Sequence, residues 1–508
     1  MIWEKPWLLC EGFLIGVGLI IMGLMLQLSI GPIDWSLFAW PVNIMVLAAL
    51  LLVVVGVFML RRKVYAFQFL GTYGAAVPAL VCAAVLTVIM GLTRQEAVGT
   101  WLHNMLTFWP FVLLYTYIVL ILGLVILKQA RMVVANCSLF TFNSQFSILN
   151  SQSSILHSPF SILSHLGLFL ALTTATLGNA DMQRLQMWTT NNPTMANMFS
   201  ETEAFHQYEH FAMDENGRKV ELPMAVELKH FIRELYADSV TPKRYASEVI
   251  IYPKASTHQF AATIDVNHPV EVEGWKIYQK DYRLTELGND CQISIFELVS
   301  DPWLPWVYAG IFMMLGGAAC LMLLSIPWTK GWRQTKKHPR RALSIGLLLA
   351  ATFVCVHHFM PILHSHTLVP ALQSPWFVPH IIAYMLAYAV LGATFLMAVW
   401  MLLRPSKNLG GLDNLVYIGL AFMTFGMLFG ALWAKEAWGH YWSWDPKETW
   451  AAATWLSYLT YIHYRRFPHN NPRVALWMLI ACFVLLQMCW WGINYLSAAH
   501  GNSVHTYG

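Results

Sequence analysis

The chain has 508 residues, 57% of them hydrophobic and only 11% charged, with a formal net charge of +4. About a quarter of a typical soluble domain is charged, so an ordinary soluble enzyme and a disordered chain are both excluded. The eight cysteines form no CxxC and no CxxCH, which removes a thiol–disulfide motif, the usual zinc spacing and c-type haem attachment to this chain itself.

A bilayer span needs about 20 predominantly apolar residues. Eleven stretches qualify: 7–30, 38–60, 64–91, 106–127, 159–178, 304–327, 342–360, 380–403, 411–433, 446–464 and 474–492. The first has no clear small-residue cleavage site and reads as a retained span rather than a signal peptide. The expected fold class is a polytopic α-helical membrane protein with about eleven transmembrane helices and one small β-rich extracytoplasmic domain. Its parts are N-terminal helices over 1–130, a Ser-, Asn- and Gln-rich cytoplasmic connector over 131–158, a second part over 159–327, and a third over 328–508. The soluble domain occupies about 179–303 within the second part.

Charge sets the orientation. With a cytoplasmic N-terminus, the loops 61–63, 128–158, 328–341, 404–410 and 465–473 face inward, carrying 16 Lys plus Arg and no Asp or Glu. Such an excess marks cytoplasmic loops. The insert 179–303 then lies outside, with 11 basic and 19 acidic residues. Within it, Glu248–Tyr252 (EVIIY) and Glu271–Tyr278 (EVEGWKIY) alternate as strands do, whereas 223–237 reads as a helix.

The topology sorts the histidines by depth. His165 and His463 lie near the inner ends of the fifth and tenth spans. His380 opens the eighth span at the outer face, and His505 lies in the outer tail. Ionisable groups inside spans are costly and rare, and two neutral imidazoles can hold haem iron axially. Taken singly, each histidine more often snorkels or bonds a carbonyl. His366 and His380 are fourteen apart, but Pro370, Pro375 and Pro379 rule out one continuous helix. His357, His358, His364 and His366 read better as a solvated loop than as a metal cluster. Glu11, inside the first span, either pairs within the bundle or sits at an interface.

The densest signal is Trp433–Trp450, WAKEAWGHYWSWDPKETW. Asp445 suits a helix N-cap, Pro446 the first helical position and Glu448 the third, as in a capping box. The tryptophans serve either as an interfacial belt or as a wall for a porphyrin face. Lys435 and Lys447, with a helix N-terminus, offer anchors for propionates.

WGHYWSWDPKETW (Trp438–Trp450) resembles the WWD signature of the haem-handling family that includes CcsA (ResC) of cytochrome c biogenesis system II. LVPALQSPWFVPH (Leu368–His380), TWLSYLTYIHYR (Thr454–Arg465) and GINYLSAAHGNSVHTYG (Gly492–Gly508) resemble its histidine-bearing segments, and together these cover about 342–508. LSHLGLFLALTTATLG (Leu163–Gly178), GWKIYQKDY (Gly274–Tyr282) and SDPWLPWVYAGIFMMLGG (Ser300–Gly317) resemble the CcsB (ResB) partner, fused ahead of it.

The resemblance implies a holocytochrome-c-synthase-type lyase in a bacterial inner membrane. Haem b, ferrous, would be its substrate, and an apocytochrome c bearing CxxCH the acceptor. No nucleic acid is implied. His380 and His505 would be the external axial ligands and the catalytic pair. His165 and His463 would hold haem at the inner site, and Trp438, Trp442, Trp444 and Asp445 would shape the outer cavity. His440 and His500 depart from the pattern and stand as further candidates. The main alternative is a haem exporter or chaperone that makes no thioether. A b-type electron-transfer protein and a small-solute transporter fit less well.

Overall fold

The computed structural model describes residues 3–95, 101–137, 159–190, 208–238, 241–255, 258–284, 292–325, 368–404 and 408–496. The expected span 342–360, most of the connector, the histidines at 357, 358, 364 and 366, and the tail with His500 and His505 lie outside these residues.

Eleven α-helices are described: α1 (Leu9–Ile30), α2 (Val42–Leu60), α3 (Tyr65–Leu70), α4 (Tyr73–Leu92), α5 (Trp109–Cys137), α6 (Pro159–Gly178), α7 (Leu304–Ser325), α8 (Phe377–Leu403), α9 (Gly410–Trp438), α10 (Pro446–Arg466) and α11 (Pro472–Trp490). Among the described residues, nine are long and apolar enough to cross a membrane, namely all but α3 and α10. Of the eleven expected stretches, 342–360 lies outside the described residues, the tenth is too polar to count among the nine, and the third is a span of smaller extent. The third stretch, 64–91, is not one helix, because the chain breaks at Gly71 and Thr72 into the short α3 and the spanning α4. The tenth, α10, forms over its expected range but carries Lys447, Glu448, His463, Arg465 and Arg466. It tolerates them because α4, α9 and α11 pack around it, burying Thr454, Tyr458 and Tyr461.

Small residues set the close contact of α6 with α7. A Cβ on Gly167 of α6 would stand 2.8 Å from the Gly310 carbonyl of α7, and one on Gly310 would stand 2.7 Å from the Ala171 nitrogen. Only glycine admits that approach, as small residues do at helix contacts in membranes. Glu11 resolves into a capping role. It is the third residue of α1, and its carboxylate accepts from the Leu8 nitrogen at 2.8 Å.

The insert folds into eight antiparallel strands, β1 (Gln183–Thr190), β2 (Glu209–Met213), β3 (Lys219–Leu235), β4 (Pro242–Pro253), β5 (Phe260–Asp265), β6 (Val270–Val272), β7 (Trp275–Leu284) and β8 (Gln292–Ser300), in the order β5-β4-β3-β2-β1-β8-β7-β6. The sheet curls until β5 lies beside β7 and nearly closes a barrel. Ser247 of β4 donates to Gln279 of β7 at 2.7 Å, and Gln279 donates to Ser294 of β8 at 2.9 Å. This buried polar clasp joins strands from opposite wings of the sheet, and its groups satisfy one another.

The helix expected over 223–237 is instead most of β3. Leu222, Met224, Val226 and Leu228 alternate into the barrel core, then a bulge between Leu228 and His230 shifts the phase and Phe231 points inward. One bulge in a period-two pattern mimics helical spacing.

Asp181 fastens the barrel base to the bundle. Its carboxylate accepts from the Trp40 nitrogen (2.7 Å), Asn43 Nδ2 (2.6 Å) and Trp303 Nε1 (2.7 Å), joining the start of α2, the exit of α6 and the entry to α7.

Candidate functional site

The bundle has a barrel side, where α6 ends and α7 begins, and a far side. On the far side, α6 and α10 present His165 and His463 to one another with ring centres 6.5 Å apart and planes at 86°. Each is fixed the same way. Nδ1 of His165 donates to the Ser161 carbonyl at 2.7 Å, and Nδ1 of His463 to the Leu459 carbonyl at 2.8 Å, one helical turn back in both cases. A carbonyl accepts only, so Nδ1 carries the proton and Nε2 keeps its lone pair, the state of a metal-ligating histidine.

Both histidines line a cavity of about 630 Å³ enclosed by α3, α4, α5, α6, α7, α9 and α10. That volume lies within the roughly 300–1,000 Å³ of small-molecule sites. Its walls are largely apolar and, among the described residues, include no Asp or Glu. A metal–imidazole bond is about 2 Å and the ring centre lies about 1 Å behind the nitrogen, so two axial imidazoles stand about 6 Å apart. The observed 6.5 Å is close to that separation. Tyr73, with its ring 6.2 Å from His463, and Trp455, whose Nε1 donates to Thr424 Oγ1 at 3.0 Å, complete the walls. Sequence reasoning missed both. Trp455 was within reach, since 455, 459 and 463 form one i, i+4, i+8 stripe.

On the barrel side, His380 lies in the first turn of α8. Its Nδ1 donates to the Gly426 carbonyl of α9 at 2.8 Å. Its ring rests on Gly430, where a Cβ would stand 2.7 Å from Nδ1, while Gly426 makes room for the neighbouring Tyr384, 2.8 Å from where its Cβ would stand. Trp433 lies 5.7 Å from His380 and 5.1 Å from Trp438, and its Nε1 donates to the Ala371 carbonyl at 2.8 Å.

The tryptophan segment divides. Trp438 joins the His380 group, and its ring stacks on His440 at 6.4 Å. Trp444 turns away, with its ring 6.2 Å from Phe111, and together with His440 and Asp445 it lines a separate pocket of about 300 Å³. The turn is made at Trp444, whose φ of 59° is unusual for a bulky residue and marks local strain. Trp442 lies 5.7 Å from Trp444, and among the described residues its Nε1 has no hydrogen-bond partner. Asp445 caps α10 as expected, accepting from the Glu448 nitrogen at 2.8 Å, and Glu448 returns the bond.

Lys435 does not offer a propionate anchor. It is buried at 2% exposure and bonds Asp301 at 3.2 Å, just past β8, and the Gly439 carbonyl at 3.0 Å. The barrel also grips the approach to His380: Tyr236 donates to the Leu368 carbonyl, and Asn267 to that of Pro370. Both segments flanking His380 are thus held by the soluble domain.

These features define a multi-pass helical membrane protein with a histidine pair lining a bundle cavity on one side and a barrel-braced histidine and tryptophan group on the other. Residues 308–500 match the family described as "Cytochrome C assembly protein", and residues 154–295 match the "ResB-like family". The chain therefore carries a ResB-like (CcsB) domain and a cytochrome c assembly (CcsA) domain in one polypeptide. Proteins named cytochrome c biogenesis protein CcsA are similar to it. That of Prochlorococcus marinus (strain MIT 9301) is 33% identical over 34% of this chain and 65% of its own length. That of Chlamydomonas reinhardtii is 37% identical over 28% and 43%, and that of Pelargonium hortorum 28% identical over 42% and 84%. The chain thus spans 65% and 43% of the first two relatives.

Proposed function

We propose that the chain is a cytochrome c synthase of system II, taking haem from the cytoplasmic side to an external site and joining it to the CxxCH of an apocytochrome c. The observation that carries the reading is the pairing of His165 with His463, at bis-imidazole distance inside an apolar cavity, in a chain that also has a cytochrome c assembly domain. The loop charges support a cytoplasmic far side.

Haem is the substrate and is held first between His165 and His463. At the external site His380 supplies one axial nitrogen and His505 the other. Trp438, backed by Trp433, covers a porphyrin face, while Trp442, Trp444 and Asp445 hold the loop and the start of α10. Each acceptor thiol adds across a vinyl group. Sulfur bonds to the carbon next to the ring and the thiol proton ends on the terminal carbon, so the addition consumes no oxidant or reductant. The chain's contribution is orientation of the reactants and ligation that keeps the iron ferrous. The acceptor's own histidine then displaces one ligand and loosens the product. The net acidic insert favours encounter with a basic acceptor, an attraction that fades with salt.

The test is co-expression with an apocytochrome c in a bacterial host stripped of its own maturation genes. Haem staining of the acceptor band after denaturing electrophoresis supports the synthase. No stained acceptor, with the chain itself purifying red, assigns it instead to haem export or chaperoning.

A further inference from the structure

The far-side cavity is apolar around the histidines but has one charged point. Lys128 of α5 is the only Lys or Arg among the described residues lining it. Its Nζ donates to the Gly71 carbonyl at 3.1 Å, in the break between α3 and α4, and no carboxylate pairs with it among the described residues. An ammonium has three donors, so two stay available. The next residue, Gln129, lines the same cavity at 8% exposure, and its Oε1 has no hydrogen-bond partner. A buried polar atom left unmet on a cavity wall, next to an ammonium with donors to spare, calls for a ligand group. The terminal amide torsion is soft, so the amide can present either its oxygen or its NH2.

We propose that Lys128 and Gln129 form a carboxylate-recognition subsite that reads one propionate of the porphyrin held by His165 and His463. The subsite rests on the haem reading of that cavity. It supplies what the histidines lack. Axial ligation fixes the iron but leaves the ring free to turn about the axis, and one charged contact at the ring edge sets that rotation. A lysine is suited to the task as a point charge on a flexible stem that reaches the cavity mouth while its methylenes lie against apolar wall.

The experiment uses the full chain carrying His380→Gly, purified in an uncharged detergent free of phospholipid, so that binding reports the far-side station and no lipid headgroup competes. Haem and haem dimethyl ester, whose carboxylates are capped, are titrated by absorbance. Haem should bind more tightly than the ester. Lys128→Met should weaken haem by about ten-fold and leave the ester unchanged, as expected for loss of one charge-assisted contact. Gln129→Leu should act in the same sense, and Lys128→Arg should restore haem binding. Equal affinities of the starting protein for the two porphyrins, or equal losses for both in Lys128→Met, overturn the subsite. His165→Gly and His463→Gly separate the layers. If they alter the spectrum of bound haem while Lys128→Met matches the starting protein, only the subsite fails. If they leave the spectrum unchanged, the histidine station fails and the subsite falls with it.

Discussion

Gly430→Ala tests the link between helix packing and the external site. The added Cβ would stand 2.7 Å from Nδ1 and 2.8 Å from Cε1 of His380, where ordinary contact begins near 3.4 Å. The ring must withdraw by about 0.7 Å, which stretches the 2.8 Å bond from Nδ1 to the Gly426 carbonyl. Losing that bond costs about 0.5–1.5 kcal/mol, and overpacking adds about 1–3 kcal/mol. The functional loss should be larger than the stability loss suggests. Disturbing the group that orients a metal-ligating histidine typically costs about 10–100-fold. The assay is covalent haem on a co-expressed apocytochrome, read beside thermal unfolding of the detergent-purified protein. Gly392→Ala, on α8 itself, is the control, because its Cβ meets nothing closer than Phe483 at 3.7 Å. Gly430→Ala should fall well below Gly392→Ala in haem attachment. Equal attachment by the two variants would refute the claim that α9 sets the position of His380.

His463→Gly removes half of the far-side pair, so bound haem should lose its bis-imidazole absorbance, and added imidazole should restore it in part; an unchanged spectrum would exclude His463 as a ligand. Lys435→Met strands a buried Asp301, and breaking such a pair from one side costs about 3–5 kcal/mol. Adding Asp301→Leu should return most of that stability in thermal melts, since the pair is then replaced rather than broken. Burial alone would raise the Asp181 carboxyl, but its bonds from Trp303, Trp40 and Asn43 outweigh it and hold the group below its ordinary value of 3.8. Its contribution should therefore be complete above that value and be lost as pH falls through the lower folded value; acid unfolding of Asp181→Asn should show a shallower dependence there.

Much of this protein is determined by sequence that needs no fold to be read. Long apolar runs place helices in lipid because an unpaired backbone group there is too costly, and charge asymmetry orders their ends. The capping box at Asp445 and Glu448 is local chemistry and forms as its residues dictate. The strand at Glu248–Tyr252 follows from alternation, whereas the alternating segment Glu271–Tyr278 is split by a turn at Glu273 and Gly274 into the end of β6 and the start of β7.

Reading failed where a distant contact overrode the local pattern. The bulge after Leu228 disguised β3 as a helix, and the ion pair with Asp301, 134 residues away, took Lys435 from the role its neighbours suggested. Span order assigns His165 and His463 to one level, but depth is a single coordinate. Only the packing of α6 and α10 around one cavity brings residues 298 positions apart to a ring separation of 6.5 Å. The same holds for Trp444. Its composition reads like that of Trp438, yet a left-handed backbone turn sends its ring toward Phe111. Local spacing determines which face of an element a side chain occupies; which partner that face meets is decided by tertiary contacts, because helices in a bundle choose neighbours by shape and small-residue fit far along the chain.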